Sequence, residues 1–105
     1  MPILNFDNFV KLPEGAIFSY FEPVMATGFY VKGETLYHEG QPIDYFESNL
    51  IAHESWTRNR SEFALRVDDT PGRWCTYIYD QLYYVYDKAD MQLIQSYIQK
   101  ALEKI

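Results

Sequence analysis

Short apolar runs cut by turn residues occupy the first half of the chain. Leu12-Pro13-Glu14-Gly15 puts proline and glycine where a turn accepts them. Residues 16–21 then have the β-branched and aromatic content of a strand. Pro23 ends that strand or confines it to a sheet edge, because proline cannot donate to a ladder. Residues 29–32 read as a second short strand, and Gly33-Glu34 is expected to turn the chain into residues 35–38. Residues 39–42 are a further punctuated loop. Residues 43–51 carry Ile43, Phe46 and Leu50 at helical spacing, but Tyr45-Phe46 suits a strand, and a strand is the reading adopted. Residues 52–73 are the most polar part, with a short alternating strand expected over 62–67 and a turn at Asp68-Asp69-Thr70-Pro71-Gly72.

The C-terminal third is patterned more clearly. Residues 74–79 and 82–86 are strand-like runs separated by Asp80-Gln81, which suggests a hairpin with a two-residue loop. In that register Tyr79 opposes Leu82, Tyr77 opposes Tyr84 and Cys75 opposes Tyr86, all on one face. Trp74, Thr76, Ile78, Tyr83 and Val85 fall on the other. A helix follows, with Asp87 as N-cap and Asp90 in the first turn. Met91, Ile94, Ile98, Ala101, Leu102 and Ile105 form one apolar stripe, opposite Gln92, Ser96, Gln99 and Glu103. The helix is expected to bury that stripe on the sheet, so that Ile94→Asp would strongly destabilise the fold. The predicted class is α+β: a mostly antiparallel sheet of about five strands with a C-terminal helix packed on it, as a single domain over residues 1–105.

Composition narrows the function classes. The 105 residues are 48% apolar and 23% charged, which is globular and not disordered composition. Cys75 is the single cysteine, so no internal disulfide can form. The first residues have no basic segment, and no run approaches the roughly 20 apolar residues that cross a bilayer. A cytoplasmic protein without a membrane association is expected. The net charge is −6. Residues 1–55 hold only Lys11 and Lys32 against eight acidic residues, whereas all four arginines (58, 60, 66 and 73) lie within one short window. Arg58, Arg60 and Arg66 lie near Trp56 and Phe63 in sequence, and arginine beside aromatics can grip and stack nucleic acid. The window's own acids leave it nearly balanced, and the protein as a whole is acidic. Arginines paired with neighbouring acids are therefore the reading adopted, and direct nucleic-acid binding is not expected.

Candidate catalytic chemistry is sparse. His38 and His53 each precede glutamate, but position 42 is proline and position 57 threonine, so neither begins His-Glu-x-x-His. Cys75 would need a base and an oxyanion donor to act as a nucleophile, and in a strand its commoner role is a small buried hydrophobe. There is no glycine-rich phosphate loop and no nucleophile elbow. Neither a metal, nor a cofactor, nor an enzymatic activity is predicted. The competing class is a small enzyme or ligand-binding domain using His38, His53 or Cys75, and a third is a structural subunit of a larger assembly.

Two surfaces remain as binding candidates. Aromatics make up 18% of the chain, and five of the ten tyrosines fall within residues 77–86. Tyrosine offers a large rigid contact area whose hydroxyl tolerates water, so it concentrates where surfaces meet. Tyr77, Tyr79, Leu82, Tyr84 and Tyr86 are thus a candidate contact face for a protein partner or a second copy; the alternative is that this face is core. Glu14, Glu22, Glu34, Glu39, Asp44 and Glu47 form the second candidate, an acidic surface suited to a basic partner or to mimicry of nucleic acid.

Leu12-Pro13-Glu14-Gly15, the run from Phe18 to Pro23, Lys32-Gly33-Glu34-Thr35 and Ile43-Asp44-Tyr45-Phe46 give the first half of the chain a further feature. There it resembles small phage- and prophage-encoded proteins of unknown function. The resemblance implies a dispensable accessory protein that inhibits or modulates a host protein, for example a defence system, by binding it. It carries over no functional residue.

Overall fold

A computed structural model describes residues 1–22, 25–50, 72–74 and 80–105. They form an α+β arrangement of one antiparallel sheet and a C-terminal helix. The strands are β1 (Ile3–Leu4), β2 (Ile17–Glu22), β3 (Met25–His38), β4 (Gln41–Asn49), β5 (Gly72–Trp74) and β6 (Tyr83–Val85), in the order β1-β6-β2-β3-β4-β5. The helices are α1 (Phe6–Phe9) and α2 (Lys88–Glu103).

The strand expected over residues 16–21 is β2, and it stops one residue short of Pro23. Of the ambiguous segment over 43–51, residues 43–49 lie in β4, Leu50 follows it and Ile51 lies outside the described residues. The loop between β3 and β4 is a two-residue turn in which Glu39 (φ 51°) and Gly40 (φ 79°) both have positive φ, the geometry that matches strand twist in a hairpin. Gly33-Glu34 does not turn the chain. The register passes from Lys32↔Glu47 to Thr35↔Tyr45, so these residues are a bulge inside one 14-residue strand. A second bulge sits at Gly28, where the register passes from Phe18↔Tyr30 to Tyr20↔Thr27.

The expected C-terminal hairpin is also corrected. Tyr84 pairs with Ile3 on one side and Ser19 on the other, so β1 and β2 occupy both edges of β6. Two-residue hairpin turns favour Asn-Gly or Asp-Gly, and Asp80-Gln81 lacks the glycine. Residues 75–79 lie outside the described residues, as does the strand expected over 62–67. The facial alternation within β6 does hold: Tyr83 and Val85 are buried on one face, and Tyr84 and Tyr86 are half-buried on the other.

The core lies on the inner face under α1, a short helix whose N-cap Asn5 accepts from the Asn8 amide at 3.0 Å. Phe6, Phe9 and Val10 meet Phe18, Tyr45, Tyr83 and Val85 there. Phe9 stacks on Tyr83 at 3.9 Å and meets Phe18 (4.7 Å) and Tyr45 (5.0 Å) edge-on. Much of the aromatic excess is therefore this core, built from rings that prefer offset-stacked and edge-to-face contacts.

α2 starts as expected. Asp87 accepts from the Asp90 amide and Asp90 from the Asp87 amide, each at 2.9 Å, a reciprocal capping box. Its depth of packing differs from expectation. No residue of α2 is buried, and Ile94 is the one stripe position that reaches even half-burial. The inner face is already closed by α1, so α2 stands over the outer face and only touches it. No helix among the described residues is long and apolar enough to span a bilayer.

Candidate functional site

The outer sheet face is built by the alternation of β2 and β6. Ile17, Ser19 and Phe21 lie beside Tyr84 and Tyr86, and Phe29 joins them across the Gly28 bulge. Phe21 lies 5.2 Å from Tyr84, and Phe29 meets Tyr86 edge-on at 5.3 Å. Ser19, fully buried, donates its hydroxyl to the Gly28 carbonyl at 2.6 Å and accepts from the Tyr86 hydroxyl at 2.7 Å. This pair fixes the Tyr86 ring and satisfies a fully buried hydroxyl within a largely apolar face.

Between this face and α2 runs an open groove of about 430 Å³. Ile17, Phe29 and Leu50 line its floor, and Met91, Ile94 and Ile98 line its helical wall. The wall stays wet: Met91 is 40% and Ile98 56% exposed. Leu93, Tyr97 and Leu102 extend the apolar helix surface beyond the groove, each more than half exposed. Apolar surface in such continuity on a small domain marks a place of contact. The sequence pattern showed the stripe, but read it as core. What it lacked was any sign that a four-residue helix, too short to have a periodic signature, already covers the other face.

Of the tyrosine face, Leu82, Tyr84 and Tyr86 are half-buried on this outer side, while Tyr77 and Tyr79 lie outside the described residues. The acidic surface is smaller than expected. Glu14, Glu22, Glu34 and Glu39 are exposed, but Asp44 is only 3% exposed and Glu47 is half-buried. Both fold inward because β4 presents them to occupied space. Asp44 accepts from the Tyr45 amide at 2.8 Å, and Glu47 accepts the hydroxyl of Tyr20. Glu22 and Glu39 stand at opposite ends of β3, so the four exposed carboxylates form no single row.

Glu47 terminates a chain of hydroxyls. Tyr45 lies 3.1 Å from both Tyr20 and Tyr83, and Tyr20 donates to the carboxylate. Burial pushes every member upward: Tyr83 to about 12, and Tyr20 and Tyr45 well above the ordinary phenol range. Burial also raises Glu47, against the hydrogen bond from Tyr20. These tyrosines stay neutral at physiological pH, and their chain of hydroxyls joins β2, β4 and β6.

Lys32 is also buried, 1% exposed. Its ammonium donates to the Thr35 hydroxyl at 2.6 Å and the Gly33 carbonyl at 3.1 Å. The Thr35 hydroxyl in turn donates to the Val10 carbonyl at 2.8 Å. The bulge at Gly33-Glu34 thereby ties β3 to the end of α1. Burial lowers the Lys32 ammonium from the ordinary lysine range, with the field of Glu14 opposing.

His38 sits in the β3–β4 hairpin with 72% of its side chain exposed, 3.7 Å from Glu39, and lines neither the groove under α2 nor the cavity beside Lys32. His53, Cys75 and the arginines at 58, 60 and 66 lie outside the described residues, so the convergence that a His38, His53 or Cys75 site would need is not seen among the described residues. Nor is any group of three or more histidine, cysteine or acidic side chains suited to a metal found among them. Set against known protein families, curated proteins and solved structures, the chain matches none.

Proposed function

We propose that this chain is a non-enzymatic binding protein that acts on a partner protein through the groove between α2 and the aromatic outer face. One observation carries the reading: a capped 16-residue helix holds a continuous apolar stripe over the sheet and fully buries none of its side chains. Leaving such a stripe wet forgoes roughly 1.5–3 kcal/mol for each large side chain that burial would supply, so a partner that covers it gains that energy. The groove supplies Phe29 and Ile17 as a rigid floor, with Tyr86 held behind Phe29 by Ser19. Inhibition or modulation of a host protein, as for a phage-type accessory or anti-defence protein in the cytoplasm, fits a small module with a surface of this kind. The acidic reading is the weaker one, since two of its six carboxylates face inward.

The test is affinity capture from a host lysate at low and high salt, with wild type and Ile98→Asp side by side. Contact through the groove predicts a captured protein that is retained at high salt and lost with Ile98→Asp. Capture that collapses with salt and ignores Ile98→Asp would move the function to the acidic surface.

A further inference from the structure

The stripe on α2 has a more specific pattern than amphipathicity requires. Met91, Ile94, Ile98 and Ala101 are spaced three, four and three residues apart, the a/d seam of helices that pack along each other, and Ile105 continues the spacing just past the helix end. A helix that merely lies on a sheet does not need that strict alternation. If a second α2 runs antiparallel to the first, Ile94 meets Ile98 of the other copy in two central layers. Met91 meets Ala101 in the layers outside them, a large residue against a small one each time. The same register sets Asp90 opposite Lys104, opposite charges at both ends of the pair. The Oδ2 atom of Asp90 already holds the Asp87 amide and lies 3.0 Å from the Met1 amino group, which leaves Oδ1 for the lysine. Gln95 and Tyr97 then each face their own counterparts across the two-fold axis.

Resting on the reading of the groove as a contact surface, we propose that its occupant is a second copy of this chain. The two α2 helices pair antiparallel about a two-fold axis near Ser96, each seated in the other's groove. An isologous contact of this kind closes on itself and builds a dimer, not a filament. Two heptads are short for a free-standing helical pair, and here the floor of Ile17, Phe29 and Leu50 supplies the remaining apolar contact.

The experiment is light scattering coupled to gel filtration, with cross-linking of single-cysteine variants in a Cys75→Ser background. The wild type is expected at twice the chain mass of 12.5 kDa, and Ile98→Asp is expected to weaken association by at least about tenfold. Gln95→Cys should cross-link to itself through a short bismaleimide, whereas Lys88→Cys, at the end of the pair, should not. A monomer at every concentration overturns the proposal, as does a dimer that survives Ile98→Asp. Self-cross-linking through Lys88→Cys as efficient as through Gln95→Cys would mean parallel helices and also overturns it. A monomer whose capture of another protein depends on Ile98 would leave the binding function standing and remove only the second copy. A monomer whose capture is indifferent to Ile98 would remove both.

Discussion

Gly28 holds φ at +76°, and a Cβ there would sit 2.1 Å from the ring of Tyr30. That ring cannot move freely, since it packs on Phe18 at 5.5 Å and Tyr20 at 5.1 Å. Gly28→Ala is therefore expected to cost about 1–2 kcal/mol from the left-handed backbone alone, and more as Tyr30 is displaced. Urea unfolding measures it, and an unshifted midpoint would mean the bulge does not have this geometry. Glu47 allows a second test. Burial raises its carboxyl above the usual 4.5 in the folded chain, so its contribution to stability is fully present below that value and is lost as pH rises through the folded pKa. Glu47→Gln keeps an acceptor for Tyr20 and removes the titration. The variant should gain on the wild type as pH rises above the usual carboxylate range, and a difference that stays constant with pH would contradict the burial of Glu47.

Among the elements, α1 takes the core-covering role that the residue pattern assigns to α2. Phe9 of α1 is fully buried among aromatic rings, so Phe9→Ala is expected to cost about 3–5 kcal/mol. Ile98→Asp in dilute solution should cost no more than about 0.5 kcal/mol, because the side chain is already more than half exposed. Parallel urea titrations compare the two directly, and equal losses would place the stripe in the core after all. The parts of this fold that local pattern reveals are those with local causes. The Asp87 cap, the stripe of α2, the β3–β4 turn and the alternation of Tyr83 and Val85 against Tyr84 and Tyr86 all follow from neighbours in sequence. The partners of β6 do not, since Ile3 and Ser19 reach it from the far end of the chain. Nor does the inward turn of Glu47, which depends on Tyr20 arriving from another strand. Gly33-Glu34 reads as a turn for a related reason: glycine serves a bulge as readily as a turn, and only the register of β4 decides between them.

For the molecule as a whole, the net charge of −6 sets copies against each other at long range, while the apolar seam on α2 attracts them at contact. Raising salt screens the repulsion and leaves the apolar term in place, so self-association should hold or tighten as ionic strength rises. A fall of tenfold or more would mean that charge, not the stripe, holds the copies together. The central claim is that α2 carries an association surface outside the core. Thermal melting over roughly 1 to 100 µM chain tests it most directly, because mass action makes the midpoint of an associating protein depend on concentration. The wild-type midpoint should rise by a few degrees across that range, and the rise should vanish in Ile98→Asp. A wild-type midpoint that stays constant, or a rise that persists in Ile98→Asp, would contradict the claim.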